Sequence, residues 1–454
     1  MTVSIVLFTS DLRLHDNPVL RAALRDAERI VPLFVYDDGV RATGFDVPNR
    51  RAFLADCLED LDSGLRGRGG RLVVRSGDVV DEVCRVVKET GAAGVHVAGG
   101  VSRYATRREE RLRAALEDAD CRLVVHDAVV TAVAPGELLP AGKDHYAVFT
   151  PYHRRWTAAG VRDVVAPPRK VRVADVASES VLPRAEITGV SQGLDAGGES
   201  AGRRRLRAWL SGGIAEYEDG QDDVAGDATS RLSPHLHFGT LSATEVIHGA
   251  SREGSSGAQA FIRQLAWRDF HHQVLAARPD AAAQNYRTRG DRWRTNKKEI
   301  AAWVDGRTGY PFVDAAMRQL SHEGWMHNRA RLVVASFLTK TLYVDWRVGA
   351  QHFLSLLVDG DVANNQMNWQ WAAGTGTDTR PNRVLNPVIQ GKRFDPRGSY
   401  VRRWLPELAD VPDRYIHEPW KLTGQDRADA DIDYPDPIVD LAEGRARFEQ
   451  ARDA

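Results

Sequence analysis

Cysteine is scarce in this chain of 454 residues, and several features that define common protein classes are missing. The three cysteines, Cys57, Cys84 and Cys121, lie far apart and include no CxxC pair. We therefore expect no disulfide scaffold, zinc site or iron–sulfur cluster, and a reducing cytoplasmic location. No apolar stretch is long enough to span a membrane, and the N-terminus is unlike a signal peptide, so we expect no membrane association.

Signatures of hydrolases and nucleotide-dependent enzymes are also missing. There is no GxSxG, HExxH or Walker loop, and the first predicted strand–helix turn, FTSDLRLHDNP, has no GxGxxG. The histidines of the second half do not have metal-ligand spacing with acids, so we expect no bound metal. They are His235, His237, His271, His272 and His327. The net charge of -1 leaves room for a local basic groove on an otherwise acidic surface.

Strand and helix patterns alternate over residues 1–130. Short apolar runs rich in β-branched residues read SIVLF, RIVPLFVY, RLVVR, GVHVAG and CRLVVH. Helical patterns such as NPVLRAALRDA and RRAFLADCLEDLDSGL lie between them. This alternation predicts an α/β N-terminal domain with a doubly wound parallel sheet that helices cover on both faces.

A connector is predicted over residues 131–200, because proline, glycine and serine cluster from about Val165 to Gly202 with little periodicity. Beyond it the strand pattern disappears. Segments such as GAQAFIRQLAWRDFHHQVL and PFVDAAMRQL carry helical spacing, and Pro311 suits a helix start. We expect residues 201–454 to form a larger, all-α domain.

Polar residues cluster among the aromatic residues of this helical region. The clusters read TSRLSPHLHFG, QLAWRDF, WMHNRARL and DGDVANNQMNWQW. The hydroxyls and arginine of the first cluster suit a diphosphate, although that stretch alone is more simply interpreted as a helix cap. Together the clusters predict an apolar helical cavity lined by amides, acids and arginines. A bulky planar cofactor with a phosphate tail would satisfy these polar groups.

The chain resembles the DNA photolyase/cryptochrome flavoproteins over nearly its whole length. The motifs that carry this resemblance include SIVLFTSDLRLHDNPVL, TSRLSPHLHFG, AWRDF, TGYPFVDAAMRQL, GWMHNRARL, DGDVANNQMNWQW and LNPVIQGKRFDPRGSYVRRWLPEL. Within the family the chain is most similar to the microbial class I cyclobutane pyrimidine dimer photolyases. Asn328 after His327 favours these over the (6-4) enzymes, which carry a second histidine there. The resemblance implies an antenna-binding α/β domain and a helical domain that binds FAD.

The resemblance also implies which residues bind FAD. Arg331 and Asp359 would pair beside the flavin, and Asn365 would face its N5. An amide suits N5 because it can donate or accept a hydrogen bond, and mutual charge fixes a buried Arg–Asp pair. The residues implied for FAD are Tyr217, Thr229, Ser230, Arg231, Leu232, Ser233, Gln264, Arg268, Asn328, Arg331, Asp359, Gly360, Asp361 and Asn365.

The implied function is blue-light-driven repair of UV-damaged DNA. A cyclobutane pyrimidine dimer stacks badly and flips out of the duplex easily, and an electron from excited, reduced FAD then splits it. The residues implied for catalysis are Gln264, Trp267, Asn328, Asn365 and Trp371. Those implied to contact the lesion or DNA are Gln264, Trp267, Arg268, Asn328, Arg329, Leu332 and Trp371. Those implied to carry electrons to oxidised flavin are Trp293, Trp346 and Trp369.

The chain departs from the family pattern at several positions. Gln264 stands where dimer-repair members usually carry glutamate, so one acceptor is kept and the charge is lost. Leu332 replaces the usual methionine, which is a mild apolar exchange. Ser10 stands where an arginine is common, and a lysine contact for folate is missing near residues 281–284. An 8-hydroxy-5-deazaflavin antenna, or none, is therefore favoured over methenyltetrahydrofolate.

Two alternative functions stay open at this point. One is a blue-light-sensing cryptochrome without repair activity, and the other is a (6-4) photoproduct photolyase. Trp267 and Trp371 favour repair, whereas Gln264 encourages and Asn328 discourages the (6-4) alternative. We expect a monomer with no obligate protein partner.

Overall fold

The fold is that of a computed structural model, which describes residues 2–426 and 432–453. Met1, residues 427–431 and Ala454, which the predicted domains include, lie outside the described residues. Within those ranges no helix is both long and apolar enough to cross a membrane.

A parallel sheet organises the first part of the chain. In the described residues its strands are β1 Val3–Leu7, β2 Arg29–Asp37, β3 Val73–Gly77, β4 Gly94–Ala98 and β5 Arg122–His126. Their order across the sheet is β3-β2-β1-β4-β5, and every neighbouring pair is parallel. The chain therefore reverses its direction of travel across the sheet between β1 and β4, and the predicted doubly wound fold is confirmed.

Helices follow the strands along the chain and begin at predictable residues. They are α1 Pro18–Asp26, α2 Asp38–Ala42, α3 Pro48–Arg66, α4 Val79–Thr90 and α5 Arg103–Glu117. Asn17 caps α1 by accepting a hydrogen bond from the Leu20 amide at 2.9 Å, and Pro18 takes the first helical position. Gly91 ends α4 in the left-handed conformation.

The segment predicted as a connector contains more structure than its composition suggested. Helix α6, Phe149–Ala159, lies within it, followed by a 3-10 turn at Arg184–Glu186. Phe149, Tyr152 and Trp156 occupy one face of α6 and are buried. This spacing is itself a helical signal that the overall proline and glycine content obscured.

Helices joined by loops and short 3-10 turns form the described part of the chain from Glu199 onward. They are α7 Glu199–Ala208, α8 Tyr217–Gly220, α9 Ser233–His237, α10 Ala243–Glu253, α11 Ser256–Ala277, α12 Lys297–Val304, α13 Pro311–Glu323, α14 Asn328–Ser336, α15 Trp346–Leu356, α16 Val362–Ala373, α17 Pro387–Phe394, α18 Ser399–Trp404 and α19 Leu441–Asp453. Single π-helical turns follow α7 and α14, at Trp209–Gly213 and Phe337–Thr341. The predicted all-α architecture of the second part is confirmed.

A buried polar cluster joins the sheet to the helical part. Arg13, which is 1% exposed, donates to the main-chain oxygens of Asp16, Gly239 and Val129 at 3.0, 2.9 and 3.3 Å. Asp11 accepts from the Thr9 amide at 3.0 Å and from Asn17 Nδ2 at 3.1 Å. Each buried group here therefore has a partner within the protein, which makes the cluster structural.

Candidate functional site

A cavity of about 200 Å³ lies within the helical part. Its lining residues come from α9, α14, α15, α16 and the segments between them, and they are Ser233, Trp325, Met326, Asn328, Arg331, Leu332, Ala335, Phe353, Leu357, Asp359, Asn364, Asn365, Asn368 and Trp369. Apolar and aromatic walls with a few amides and one ion pair are typical of a binding site for an organic molecule.

The ion pair in this cavity is Arg331 with Asp359. Arg331 Nη2 donates to Asp359 Oδ2 at 2.8 Å, and Arg331 Nε donates to the Met326 carbonyl at the same distance. The other carboxylate oxygen, Asp359 Oδ1, is buried without a hydrogen-bond partner in the described residues. A buried carboxylate oxygen left unpaired is costly, so this oxygen is available to a donor on a bound molecule.

The turn from Asp359 to Asp361 carries the second acid of the site. Asp361 caps α16 by accepting from the amide of Asn364 at 2.7 Å, and it lies 3.2 Å from His272 Nε2. Burial opposes ionisation of Asp361, but its contact with His272 and the positive charge of Arg268 outweigh it and hold the pKa of this carboxyl well below its usual range. Asp361 is therefore a stable negative charge beside the cavity.

Helix α16 distributes its polar residues over several faces. Asn365 uses Nδ2 to donate to the Ala350 carbonyl at 3.1 Å, which leaves Oδ1 without a partner in the part of the chain that the structure describes. Gln366 donates to the Ala282 carbonyl at 2.9 Å, Met367 is buried in the core, and Asn368 donates back to the Asn364 carbonyl at 2.8 Å. Gln366 and Met367 are therefore structural, whereas Asn365 and Asn368 line the cavity.

The hydroxyl-rich segment 229–233 lies at the edge of the site. Ser233 lines the cavity and accepts a hydrogen bond from Trp325 Nε1 at 3.2 Å. Thr229 Oγ1 is buried without a partner in the described residues, and Ser230 Oγ accepts from the amide of Leu232 at 3.3 Å. Several of these hydroxyls can therefore bind an additional polar group.

Arg231 and Tyr217 are held by protein contacts. The Arg231 guanidinium lies 4.2 Å from the Trp325 ring and pairs with Asp227 at 2.7 Å and Glu323 at 3.2 Å. Tyr217 is buried, and burial raises the pKa of its phenol to about 12, so it is a neutral hydroxyl. The charge of Arg231 is neutralised by two carboxylates, so the residue is better placed to shape the segment than to attract an anion.

Three predicted residues lie on α11. Trp267 stacks on Phe149, with ring centroids 3.7 Å apart and planes 6° from parallel, so one face of the indole is covered. Arg268 donates to the main-chain oxygens of Val130 at 2.6 Å and Leu236 at 3.2 Å. Gln264 is half-buried and has no side-chain hydrogen bond to the described residues. Gln264 is therefore free to contact a ligand.

Two predicted residues at the start of α14, Asn328 and Arg329, differ in their contacts with the protein. Asn328 is exposed and lines the cavity, whereas Arg329 forms a two-pronged ion pair with Asp222 at 2.7–3.0 Å. The Arg329 guanidinium also lies 4.5 Å from the Phe394 ring. A DNA phosphate would therefore have to compete with Asp222 for Arg329.

Leu332 connects the main cavity to a smaller one. It lines both, and the smaller space of about 10 Å³ is also lined by Trp371, Ser336, Lys340, Asp378 and Arg383. Burial lowers the pKa of Lys340 to about 8. The predicted lesion residues Leu332 and Trp371 therefore lie together, next to the main cavity.

The three tryptophans implied in electron transfer differ in exposure. Trp369 lines the cavity and packs edge-on against Phe353 at 4.9 Å, and Trp346 is fully buried with its Nε1 donating to Asn285 Oδ1 at 2.8 Å. Trp293 is half-buried, and its ring lies 4.9 Å from that of Tyr343. All three belong to or pack against the same hydrophobic core.

Several site residues were missed by sequence reasoning. His272 pairs with Asp361, and its spacing i, i+4 and i+8 with Gln264 and Arg268 on α11 could have indicated it. Gln370 is fully buried, donates to the carbonyls of Ala281 at 2.6 Å and Gln284 at 3.1 Å, and accepts from the Tyr286 amide. No local pattern indicated that role. In the described residues no group of three or more potential metal ligands occurs.

Comparison with known protein families identifies two matching regions. A family model described as DNA photolyase matches residues 4–170, and one described as the FAD binding domain of DNA photolyase matches residues 261–454. The second region contains the cavity-lining residues except Ser233.

Comparison with individual proteins extends over the whole chain. A deoxyribodipyrimidine photo-lyase of Streptomyces griseus is 69% identical over 454 residues, which cover 100% of this chain and 99% of the relative. One of Escherichia coli is 37% identical over 478 residues, covering 100% and 99%. Among solved structures, a class III photolyase from Agrobacterium tumefaciens superimposes with a TM-score of 0.91 at 33% identity, covering 99% of this chain and 97% of that one. A cryptochrome from Synechocystis has a TM-score of 0.93 at 29% identity, covering 99% of both.

Proposed function

This chain belongs to the DNA photolyase family, and we propose that it is a deoxyribodipyrimidine photo-lyase, a carbon–carbon lyase that repairs cyclobutane pyrimidine dimers in UV-damaged DNA under blue light. The observation that carries the proposal is the cavity in which Asn365, Trp369 and the Arg331–Asp359 pair meet, next to the space lined by Trp371. When bound in its reduced form, FAD supplies the light-excited electron that splits the dimer.

FAD fits the chemistry of the residues present. The buried Asp359 Oδ1 and Thr229 Oγ1 have no partner in the described residues, and Asn365 Oδ1 is equally free. These acceptors suit the N–H and O–H donors of a flavin and a ribitol chain. The site would be completed by Tyr217, Ser230, Leu232, Ser233 and Asn328. Arg231 would stabilise the conformation of the segment that binds the FAD phosphates.

The lesion would lie between Trp267 and Trp371. Trp267 has one ring face stacked on Phe149 and one available for a base, and base–aromatic stacking is worth about 1–3 kcal/mol. Leu332 borders both cavities and would separate the lesion from the flavin. Gln264 and Asn328 would contact the flipped bases, while Arg268 and Arg329 would steady the surrounding protein.

Electrons for reducing an oxidised flavin would pass from Trp293 through Trp346 to Trp369. The half-buried position of Trp293, the full burial of Trp346 and the place of Trp369 on the cavity wall support this order.

An antenna chromophore would bind at the carboxyl ends of β1 and β4, where the strand order reverses. Arg108 supports a site there, because its Nε is buried without a partner in the described residues, although its Nη2 lies 3.8 Å from Glu109. We favour an 8-hydroxy-5-deazaflavin over methenyltetrahydrofolate. A solved structure of a photolyase from Sulfolobus tokodaii holds two FAD molecules, which its description links to a novel light-harvesting cofactor.

The cryptochrome and (6-4) alternatives have less support. Overall shape does not separate photolyase from cryptochrome, since both superimpose closely, but sequence identity reaches 69% with a photo-lyase and 34% with a cryptochrome DASH. The test is to illuminate the reduced holoenzyme with DNA bearing either a cyclobutane dimer or a (6-4) photoproduct. We expect restored thymines from the dimer alone. Light-dependent repair of neither lesion would overturn the proposal.

A further inference from the structure

The turn that carries Asp359 and Asp361 is held by a helix of the α/β part. Asn49 and Arg50, in the first turn of α3, reach consecutive carbonyls at the end of α15. Asn49 Nδ2 donates to the Leu356 oxygen at 2.6 Å, and Arg50 Nη1 donates to the Leu357 oxygen at 2.7 Å. These contacts join residues 307 positions apart in the chain.

Arg50 is itself fixed in one orientation. Its guanidinium lies 4.0 Å from the Phe45 ring, and its Nε and Nη2 donate to the Phe45 carbonyl at 2.9 and 2.6 Å. Arg50 also lies close to Gly360, where an added Cβ would be 2.6 Å from Arg50 Nη1. A side chain at position 360 would therefore displace the guanidinium, so glycine allows the close approach of Arg50 to the turn.

Arg50 also contributes charge to the site. Burial lowers its pKa to about 10, while the carboxylates of Asp359 and Asp46 act in the opposite direction. The Arg50 charge also acts on His237, a ring that the Asp359 and Asp361 charges affect in turn. Asp359 thus interacts with two positive charges, Arg331 of the helical part at 2.8 Å and Arg50 of the α/β part through the electrostatic field.

We propose that Arg50 is a positioning residue for the FAD site, which holds the 357–361 turn in register and supplies a second positive charge that favours the reduced, negatively charged flavin. The proposal rests on the proposed function, because it takes FAD as the ligand of the cavity. It implies that helix α3, besides packing in the α/β part, contributes to the affinity and the reduction potential of the flavin.

The test compares Arg50→Gln, Arg50→Lys and Arg51→Gln with the wild-type chain. FAD affinity is measured by titrating flavin-free protein, and the midpoint potential of bound FAD is measured by spectroscopic redox titration. Arg50→Gln should weaken FAD binding about tenfold and lower the potential. Arg50→Lys keeps the charge without the planar fork, so the potential should be restored while affinity stays reduced. Arg51→Gln is the matched control, since Arg51 is more exposed and, among the described residues, its side chain pairs with Asp46 alone, so both quantities should be unchanged.

Three results would overturn this role. They are FAD binding and potential equal to wild type in Arg50→Gln, a potential that Arg50→Lys does not restore, or an equal effect of Arg51→Gln. If Arg50→Gln does not fold, Gly360→Ala tests the same contact from the other side and should weaken FAD binding similarly. A wild-type chain that binds no FAD would instead overturn the proposed function, whereas normal FAD binding without lesion repair would leave the role of Arg50 intact.

Discussion

The cluster around Arg13 in the α/β part and the cavity of the helical part both bury charged and polar groups, but they differ in how many of these groups have a hydrogen-bond partner. Arg13, Asp11 and Asn17 are almost completely buried, and each has partners within the protein. In the cavity, Asp359 Oδ1 has none in the described residues. A saturated cluster holds the fold together, whereas an unsaturated one indicates a ligand. Hydrogen-bond completeness therefore separates structural from functional polar clusters.

The largest expected effect is on the saturated cluster. Arg13→Met leaves three buried carbonyls and the Asp11 carboxylate without their donor or charge, so the free energy of unfolding should fall by at least ~3 kcal/mol. Chemical denaturation measures this. The control is Arg21→Met, an exposed residue of α1, which should change stability by less than ~0.5 kcal/mol. Equal free energies of unfolding for Arg13→Met and Arg21→Met would contradict the structural role of the Arg13 cluster.

Asp359→Asn, unlike Arg13→Met, should weaken ligand binding and leave stability almost unchanged. The amide still accepts from Arg331, so the flavin-free protein should keep its stability to within ~1 kcal/mol. FAD should bind about 100-fold more weakly, because a charge-assisted hydrogen bond is lost. Flavin content and the melting temperature of flavin-free protein give both quantities. A large loss of stability with normal FAD binding would show that the cavity is structural.

Trp369→Phe tests the wall of the same cavity. It should abolish most photoreduction of oxidised FAD while sparing repair by enzyme reduced beforehand, which transient absorption and a repair assay distinguish. The control is Trp303→Phe, whose indole is fully buried and lies 6.0 Å from that of Trp369. Both changes open a small space and should cost about 1–2 kcal/mol of stability. Loss of repair together with photoreduction would contradict the role of Trp369.

Acid should weaken the helical part more than the α/β part. Burial lowers the pKa of four histidines of the helical part, His235, His237, His271 and His327, to about 4. In the described strands of the sheet, only the pKa of His96 falls to that value. These rings stay neutral when folded and take up protons near pH 6.5 when unfolded, so stability is lost as pH falls from 6.5 towards 4, on the order of 1 kcal/mol for each histidine. Hydrogen exchange by segment at pH 7 and pH 5 measures it. Equal loss in both regions would be the contrary result.

The smallest effect is expected at Gln264. Gln264→Glu restores the charge that dimer-repair members usually carry, and the yield of dimer repair should rise severalfold, which corresponds to about 1 kcal/mol. The (6-4) lesion serves as the control substrate. An unchanged dimer yield would mean that Gln264 performs the role as well as glutamate.

The periodicity of the sequence predicted most local structure. Each of the five apolar runs became a strand within two residues of its predicted position, and Pro311 begins α13 as expected. Helix α6 was missed because a composition rich in proline and glycine further along outweighed the spacing of its own apolar residues. Local pattern and turn chemistry act over a few residues, and there the prediction was accurate.

Contacts between distant segments could not be predicted in this way. The partner of Arg268 is the Val130 carbonyl, and that of Asn49 is the Leu356 carbonyl, 307 residues away. No pattern within a segment indicates which distant backbone group a side chain meets. The family resemblance predicted residues that line the cavity. It did not predict the ion pair of Arg329 with Asp222 or the pairing of His272 with Asp361, which only the fold reveals.

One turn of α16 has a consequence for altering this protein. Trp369 reaches the cavity wall, Gln370 anchors residues 281–286 and Trp371 lines the smaller space, so three successive residues face three neighbours. A helix rotates about 100° per residue, so inserting one residue after Asn368 would rotate each of these side chains to a neighbour's position. A substitution changes one of these positions, whereas an insertion or deletion before them changes all three at once. Engineered variants of this turn should therefore keep its length.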